Sequence, residues 1–195
     1  MNLKNPLSMP SASITKMIRM DHTHVLANAH KYEVDTAPQR KQAIVQTICL
    51  AVEIHAQLEE EIFYPALREV AADNEALQQA EPEHAEIKRL IATLRSMEPT
   101  DPEYDLRFHE LMRNIQHHVA DEETMLLPAA ELLLKDRLGE LGAEMTRRRI
   151  ELAGPRLGEI ASAQARAMPG AAMLMAGGLL AGGYLIKRAF DHRRH

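Results

Sequence analysis

The chain has 195 residues and a net charge of −5, so it is long enough for one domain with a hydrophobic core and an appendage. The acidic balance excludes the global basic field that is typical of nucleic-acid-binding proteins, and we expect no nucleic-acid partner. The single cysteine, Cys49, excludes an internal disulfide bond, and residues 1–10 lack the pattern of a secretory signal peptide. We therefore expect the folded part of the chain in the cytoplasm.

Apolar residues recur at helical spacing through most of the chain, and no segment shows the alternation that is typical of a β-strand. Ser13 is the predicted N-cap of the first helix, and Pro38 suits the first turn of the second. The four predicted helices cover residues 14–34, 38–73, 75–97 and 103–135, with a kink near Pro65 in the second. The predicted fold class is all-α: an up-down-up-down four-helix bundle over residues 13–135, with an extra C-terminal helical tail.

The composition changes after this bundle. Residues 136–166 are predicted to form a charged helical linker, residues 167–188 a glycine-rich apolar segment, and residues 189–195 a basic tail. Residues 167–186 carry no charge and reach the length of one membrane span, and Gly178 and Gly182 form a GxxxG pair. Two interpretations stay open: an inner-membrane anchor for a cytoplasmic bundle, or a glycine-rich helix that packs on the bundle or joins copies of the chain in a homo-oligomer.

An internal repeat relates the second and fourth predicted helices. Residues 55–65 read HAQLEEEIFYP and residues 118–128 read HVADEETMLLP, so each segment has a histidine, two glutamates that begin four positions later, and a proline ten positions later. A lone histidine lies at a similar distance upstream of each segment, in Asp21-His22 and in Glu83-His84. The chain therefore contains two similar helical hairpins.

The repeat places ligand-type side chains on apolar faces. Residues four apart lie on the same helix face, so His55 projects with Glu59 and His118 projects with Glu122. The apolar stripe around the last pair is predicted to continue through Met125 and Ala129. Two unpaired buried carboxylates would cost several kcal/mol each, and bound cations remove that cost. The six predicted metal ligands are His22, His55, Glu59, His84, His118 and Glu122.

Six ligands exceed one tetrahedral site and suit two metal ions bridged by glutamate, and their chemistry suits iron, manganese or zinc. The competing interpretation is that the histidines are ordinary hydrogen-bonded core residues and that the His–Glu pairs lie on helix surfaces. A histidine on the inward stripe of all four helices, with a matching glutamate on two of them, is hard to obtain by chance and favours the metal site. His117 and Asp121 form another pair four apart, but the repeat favours His118 and Glu122 and places His117 on a flank. The remaining histidines of the bundle lie off the inward stripes and are expected at the surface or behind the ligands: His24, His30 and His109.

These motifs resemble the hemerythrin-like family, specifically its histidine-histidine-glutamate cation-binding domains, over roughly residues 14–134. The resemblance implies a four-helix bundle with a non-haem di-iron centre, in which the four histidines are terminal ligands and Glu59 and Glu122 are the bridges. Oxygen-carrying members have a second histidine one turn after the third-helix histidine, where this chain has Lys88. That departure implies open coordination positions on both metals. Such positions favour reduction of NO or peroxide, oxygen sensing, or iron storage and delivery over simple reversible oxygen carriage.

The resulting function hypothesis is a di-iron protein that binds or reduces a small ligand such as O2, NO or peroxide. Other divalent metals stay alternatives to iron, and no side chain besides the metal ligands is predicted to be catalytic. The alternatives are an iron- or oxygen-responsive sensor, an iron storage or delivery protein without turnover, and a purely structural membrane-associated bundle. Ile62, Phe63 and Tyr64 are expected to form a wall below the metals, while Glu60 and Glu61 turn toward neighbours or solvent.

Overall fold

The computed structural model describes residues 12–159 and 162. This part of the chain is all-α, as predicted, and contains no β-strand. Two short π-helical turns and a final 3-10 turn interrupt or follow the α-helices. The α-helices are α1 (Ile14–Ala29), α2 (Pro38–Leu58), α3 (Tyr64–Arg68), α4 (Glu75–Arg95), α5 (Tyr104–Asp121), α6 (Leu127–Leu133) and α7 (Leu138–Ala153).

The helix starts follow local signals in the sequence. The Ser13 hydroxyl accepts a hydrogen bond from the Lys16 backbone N–H at the start of α1, and the Asn74 side chain accepts one from the Leu77 N–H at the start of α4. Pro38 is the first residue of α2, where its missing N–H costs nothing. Helix α1 ends at Ala29, five residues before the predicted end, and the chain leaves it through turns that expose Val34.

The two halves of the repeat each contain a π-helical turn, at Glu59–Phe63 and at Glu122–Leu126. The N–H of Tyr64 donates to the Glu59 carbonyl and that of Leu127 to the Glu122 carbonyl, which is the wider i→i−5 spacing of a π-helix. A proline follows directly at position 65 or 128, and because it has no N–H it cannot make the ordinary α-helical bond there. The kink predicted near Pro65 therefore takes the form of a π turn.

The π turn corrects one sequence prediction. It adds a residue to one turn, so the side chains that follow are rotated relative to a regular helix. Met125 is consequently 46% exposed, whereas Leu126 is 1% exposed. Ala129 is likewise only partly buried, and Ala130 is fully buried. The predicted stripe is therefore wrong beyond Glu122, and the buried stripe runs one residue later.

Two apolar clusters form the core, and the predicted ligands lie between them along each of the four long helices. The lower cluster includes Ile18, Leu58 and Leu126, and the upper cluster includes Val25, Ile48 and Ile115. In α1, His22 lies between Ile18 and Val25. Helix α4 passes the clusters in the same order as α1. Helix α2 passes them in the opposite order, as does α5 together with the π turn that follows it. This alternation is the order expected of an up-down-up-down bundle, whose exact topology stays a prediction. The histidine layer thus sits in the middle of the core.

Helix α7 lies in the segment predicted to be a charged linker and packs on α1 and α2, with Leu141 and Met145 buried. Gly142 permits this contact, because a Cβ atom there would lie 2.1 Å from the Ala12 carbonyl oxygen. In the part of the chain that the structure describes, no helix is both long and apolar enough to cross a membrane. The predicted span at 167–186 and its GxxxG pair lie outside the described residues.

Candidate metal centre

The structure brings the six predicted ligand side chains together in one buried cluster. Glu59 and Glu122 have 0% exposure, and all four histidines are buried as well. Each helix supplies its histidine from the boundary between the two apolar clusters, and the carboxylates come from the first residues of the two π turns. Carboxylates are rarely placed so deep without a partner, since burying an unpaired charge is strongly unfavourable.

The cluster divides into two groups whose donor atoms all lie within 4.8 Å of one another. One group is His22, His55, Glu59 and Glu122, and the other is Glu59, His84 and His118. Glu122 also faces both sides, because its Oε2 lies 3.0 Å from His22 Nε2 and 3.5 Å from His118 Nε2. Each carboxylate thus lies near one histidine on either side, Glu59 near His55 and His84 and Glu122 near His22 and His118, which is the placement that a bridging ligand requires. The assignment of these residues as ligands stays a prediction.

A second layer of carboxylates faces the outer nitrogens of the imidazoles and hydrogen-bonds to three of the four. Every Nδ1 faces one acidic side chain from a different helix or turn, and in each case that acid is the sequence neighbour of another ligand. Three of the distances are 2.9 Å and the fourth is 3.5 Å. The four pairs are His22–Glu123, His84–Glu60, His118–Glu83 and, at the longer distance, His55–Asp21. Carboxylates in this position orient an imidazole ligand and raise its basicity.

For His84 and His118 this arrangement places the ring proton on Nδ1. His22 also hydrogen-bonds through Nε2 to Glu122 Oε2 at 3.0 Å, and His55 Nδ1 has no hydrogen-bond partner. When Nδ1–H donates to a carboxylate, the Nε2 of a neutral imidazole is left with a lone pair. The Nε2 atoms of His84 and His118 nevertheless lie only 2.9 Å apart, and His55 Nε2 and Glu59 Oε1 are buried without a hydrogen-bond partner. Lone pairs that face each other repel unless a cation lies between them. The donor set therefore fits metal ions better than it fits an ordinary hydrogen-bonded core.

The two central carboxylates differ in their proton affinity. Burial, followed by repulsion from Glu122, raises the pKa of Glu59 well above its usual range. Burial acts on Glu122 in the same sense, but the hydrogen bond with His22 and the nearby imidazoles outweigh it and hold its pKa at about 2. Burial thus opposes a negative charge on Glu59, and a bound cation would offset that cost.

Tyr64 brings a hydroxyl group into this buried cluster. Its O–H donates to Glu122 Oε1 at 2.9 Å, and the same oxygen lies 3.3 Å from His84 Nε2. Burial, followed by the charge of Glu59, raises the pKa of Tyr64, so the hydroxyl keeps its proton. The matching position of the repeat is Leu127, which makes the two halves of the site chemically different. The predicted wall of Ile62, Phe63 and Tyr64 is buried, and its tyrosine also contributes a polar contact.

Helix α7 adds a second difference between the halves. Arg149 binds both oxygens of Asp21, at 2.7 and 2.5 Å, and Asp21 is the acid that lies farther from its histidine. Burial acts to raise the pKa of Asp21, but His55 and Arg149 together lower it to about 2. The Asp21 carboxylate is thus already paired with the guanidinium of Arg149. His55 therefore receives a weaker outer contact than the other three imidazoles.

A cavity of about 10 Å³ lies beside the four imidazoles. It has room for about one water-sized molecule. Apart from the four histidines, its lining consists of branched apolar side chains from all four long helices: Val25, Val52, Ile87, Ile115 and Val119. The space next to the candidate metal positions thus suits a very small ligand in an apolar setting.

Sequence reasoning missed the four outer acids. Glu60, which was expected to turn toward neighbours or solvent, contacts His84 and also binds Lys88 at 2.6 and 2.7 Å. Glu61 instead pairs with Arg148 of α7. The available signal was the acidic residue that stands next to a predicted ligand in all four motifs. Its cross-helix partner could not be read from spacing within one helix.

The other histidines lie where the sequence placed them. His30 and His109 are exposed, and His24 is half-buried beside Asn28. His117 is 70% exposed on the flank of α5, next to Glu83 and Asp121. These residues lie outside the six-ligand cluster.

Comparisons with known proteins agree with this architecture. The chain is 31% identical over 117 residues to a protein named DNA nickase from Nostoc sp. (strain PCC 7120), an alignment that covers 60% of this chain and 33% of that protein. The chain thus spans about a third of that relative's length. Its fold is similar to the crystal structure of a hemerythrin HHE cation-binding domain-containing protein from Mycobacterium kansasii, with a TM-score of 0.65 and 20% identity over 80% of this chain and 99% of that one.

The sequence model of the hemerythrin HHE cation-binding domain matches residues 13–130, which include all four long helices and both π turns. The match covers more than half of the chain and the whole of the buried histidine and glutamate cluster. The resemblance noted from the sequence motifs is thereby confirmed. This chain belongs to the hemerythrin HHE cation-binding domain family.

Proposed function

We propose that this protein is a non-haem di-iron protein that binds or reduces a small ligand such as O2, NO or peroxide. The observation that carries the proposal is the meeting of imidazole lone pairs and carboxylates at one buried point, with Nε2 of His84 and His118 2.9 Å apart. Such a cluster is stable when cations lie among the donor atoms. The proposed ligands are His22, His55, Glu59, His84, His118 and Glu122.

The donor set supports two ions and suits iron. Mixed imidazole and carboxylate ligands suit iron, manganese or zinc, and six donors exceed the four of a structural zinc site. Glu59 belongs to both groups of donor atoms, which supports two ions that share a carboxylate. Two ferrous ions held by these ligands would supply two electrons, the number needed to take O2 to the peroxide level or peroxide to water. The protein's own part is to hold, orient and shield this pair.

The size and polarity of the cavity support a small ligand. The space of about 10 Å³ beside the imidazoles, lined by valine and isoleucine, suits a ligand of very few atoms and has no room for larger substrates. The apolar lining also limits water around the centre, which strengthens the electrostatic interactions of the bound charges. We therefore infer selection by size rather than by specific polar recognition.

Tyr64 is proposed to hold and supply a proton at the centre. Its hydroxyl is buried, protonated and 2.9 Å from Glu122 Oε1. Reduction of O2 or peroxide consumes protons, and a hydroxyl in this position can donate one or hydrogen-bond to the ligand. Tyr64→Phe should keep the metal content and lower the rate of peroxide consumption. An unchanged rate in this variant would remove Tyr64 from the proposal.

The experiment for the proposed function uses the full chain, reconstituted with Fe(II) without oxygen and then mixed with peroxide or NO. We expect peroxide loss and a change of the visible spectrum with NO. Glu122→Ala should abolish both, because it removes a shared ligand, whereas the exposed His109→Ala should behave as wild type. An iron-loaded protein that neither consumes peroxide nor responds to NO would refute binding and reduction of these ligands.

The same experiment separates the alternatives. A sensor or a storage protein would show no turnover, while its stability would still increase strongly with iron. A DNA-directed activity, as the name of the Nostoc relative states for that protein, would need a basic surface for the phosphate backbone. The net charge of −5 does not favour such a surface, so the proposal contains no nucleic-acid partner.

A further inference from the structure

Three side chains of the types that bind metal ions meet on the surface next to the buried centre. Glu83 comes from α4, and His117 and Asp121 come from adjacent turns of α5. His117 Nε2 lies 3.7 Å from Glu83 Oε1 and 3.8 Å from Asp121 Oδ2, and the three donor atoms all lie within 4.8 Å of one another. His117 is largely exposed, while Glu83 and Asp121 are partly exposed. An ion in solution can therefore reach all three.

The spacing is wider than that of hydrogen-bonded groups and leaves room for an ion among the three side chains. A hydrogen bond between a ring nitrogen and a carboxylate oxygen is about 2.7–3.2 Å long, so neither contact of His117 qualifies. Two ligands that each lie about 2.1 Å from a tetrahedral zinc-like ion are about 3.4 Å apart. One imidazole and two carboxylates from two helices also form a mixed set that suits divalent iron, zinc or cobalt.

The internal repeat provides a control within the same chain. The positions that match Glu83, His117 and Asp121 in the first half are Asp21, Ile54 and Leu58. Ile54 and Leu58 cannot bind a metal ion, and both oxygens of Asp21 are bound by Arg149. The bundle thus does not require ligands at these positions, and they occur only in the second half of the repeat.

Glu83 connects this surface cluster to the interior. Its Oε2 accepts a hydrogen bond from His118 Nδ1 at 2.9 Å, while its Oε1 faces His117. One carboxylate thus touches both a proposed ligand of the buried centre and the exposed cluster. An ion held at the surface would lie one side chain away from His118.

We propose that Glu83, His117 and Asp121 form an auxiliary divalent-cation site that captures metal ions for the buried centre. The loading role rests on the proposed function, whereas binding at the surface does not. The buried ligands are enclosed by apolar side chains, so an entering ion must lose its water. Exchange of water for His117 and two carboxylates at the surface removes part of that hydration before the ion moves inward past Glu83.

The binding test uses full-length protein that is already loaded with iron and desalted, and titrates it with Co(II) as the probe. We expect one further ion per chain, held more weakly than the buried pair. Both His117→Ala and Asp121→Asn should weaken this binding by about tenfold or more, because each removes one of three ligands. The matched control is His109→Ala, an exposed histidine on the same helix, which should leave the titration unchanged.

The loading test follows the rate at which apo protein acquires Fe(II). His117→Ala should slow this rate severalfold while the final content of buried iron stays at the wild-type value. Absence of the further ion, or its unaltered affinity in both variants, would overturn the site. An unaltered loading rate would overturn the capture role. If the buried centre proves not to bind iron, Co(II) titration of the apo protein still reports the surface site through its loss in His117→Ala.

Discussion

Glu60→Gln isolates the contribution of an outer carboxylate to metal affinity. The Glu60 carboxylate accepts the Nδ1–H of His84 at 2.9 Å, and this contact is the main reason why the pKa of Glu60 is lowered to about 2. Glutamine has the same size and keeps one carbonyl acceptor, so the ring can stay in place. It removes the negative charge that makes the imidazole a better electron donor.

The expected magnitude follows from the contacts of Glu60. Loss of an outer carboxylate typically lowers metal affinity about 10–100-fold, which is about 1.4–2.8 kcal/mol. Lys88 already neutralises part of the Glu60 charge through contacts of 2.6 and 2.7 Å, so we expect a loss near the lower limit, about tenfold. The ion pair with Lys88 is exposed, and its loss should change the stability of the apo protein only slightly.

The assay is competition for Fe(II) between the full-length protein and a chromophoric chelator, with thermal melts of the apo protein to verify folding. The matched control is Glu61→Gln, which alters the next residue, whose carboxylate pairs with Arg148 at 2.6 Å and not with an imidazole. The control should bind Fe(II) as wild type does. Wild-type affinity in Glu60→Gln, or an equal loss in Glu61→Gln, would refute the outer-carboxylate reasoning.

Two further substitutions test the packing and a polar contact away from the centre. Gly142→Ala should lower the melting temperature and loosen the packing of α7, because the added Cβ would meet the Ala12 carbonyl oxygen. The control is Gly139→Ala, whose Cβ meets nothing within 4 Å and which should be neutral or stabilising in thermal melts. Asp105→Asn should reduce the free energy of unfolding by about 1–2 kcal/mol in urea titrations at pH 7, since it leaves the buried Lys41 ammonium without its charged partner. Burial acts to raise the pKa of Asp105, but Lys41 and Tyr32 lower it below 3.8. The stabilisation is therefore present above pH 3.8, and the difference in stability between Asp105→Asn and wild type should shrink as the pH falls through the lowered pKa.

The meeting of the six predicted ligand side chains at one point could be anticipated from the sequence because helical geometry dictates it. Residues four apart share a face, so His55 with Glu59 and His118 with Glu122 had to project together once their apolar neighbours faced the core. The doubled motif then indicated that two such faces meet. Their action as metal ligands stays a prediction.

The register beyond Glu122 could not be predicted with an ideal helical period. A π turn adds one residue, and the buried positions then move from Met125 and Ala129 to Leu126 and Ala130. The prolines of the repeat indicate where an α-helical hydrogen bond is missing, but they do not determine which residue after the turn is buried. That choice depends on packing against the neighbouring helices.

The outer acids were beyond prediction for a different reason. A long carboxylate side chain can reach several imidazoles on other helices, and only the helix positions in space select one. Glu123 thus reaches His22 across about a hundred residues of sequence. Arg149 is a further case, because α7 lies beyond residue 130, where the family match ends, and still contacts Asp21. Such contacts depend on how α7 packs, which local spacing does not encode.

Six buried side chains are proposed to hold a pair of iron ions. The most direct measurement is elemental analysis of full-length protein after reconstitution with Fe(II) and desalting, together with the near-ultraviolet absorption of an oxo-bridged iron pair after exposure to air. We expect two iron ions per chain with that absorption, and loss of both signals in Glu122→Ala. Wild-type protein that retains no iron, or Glu122→Ala that retains two ions per chain, would contradict it.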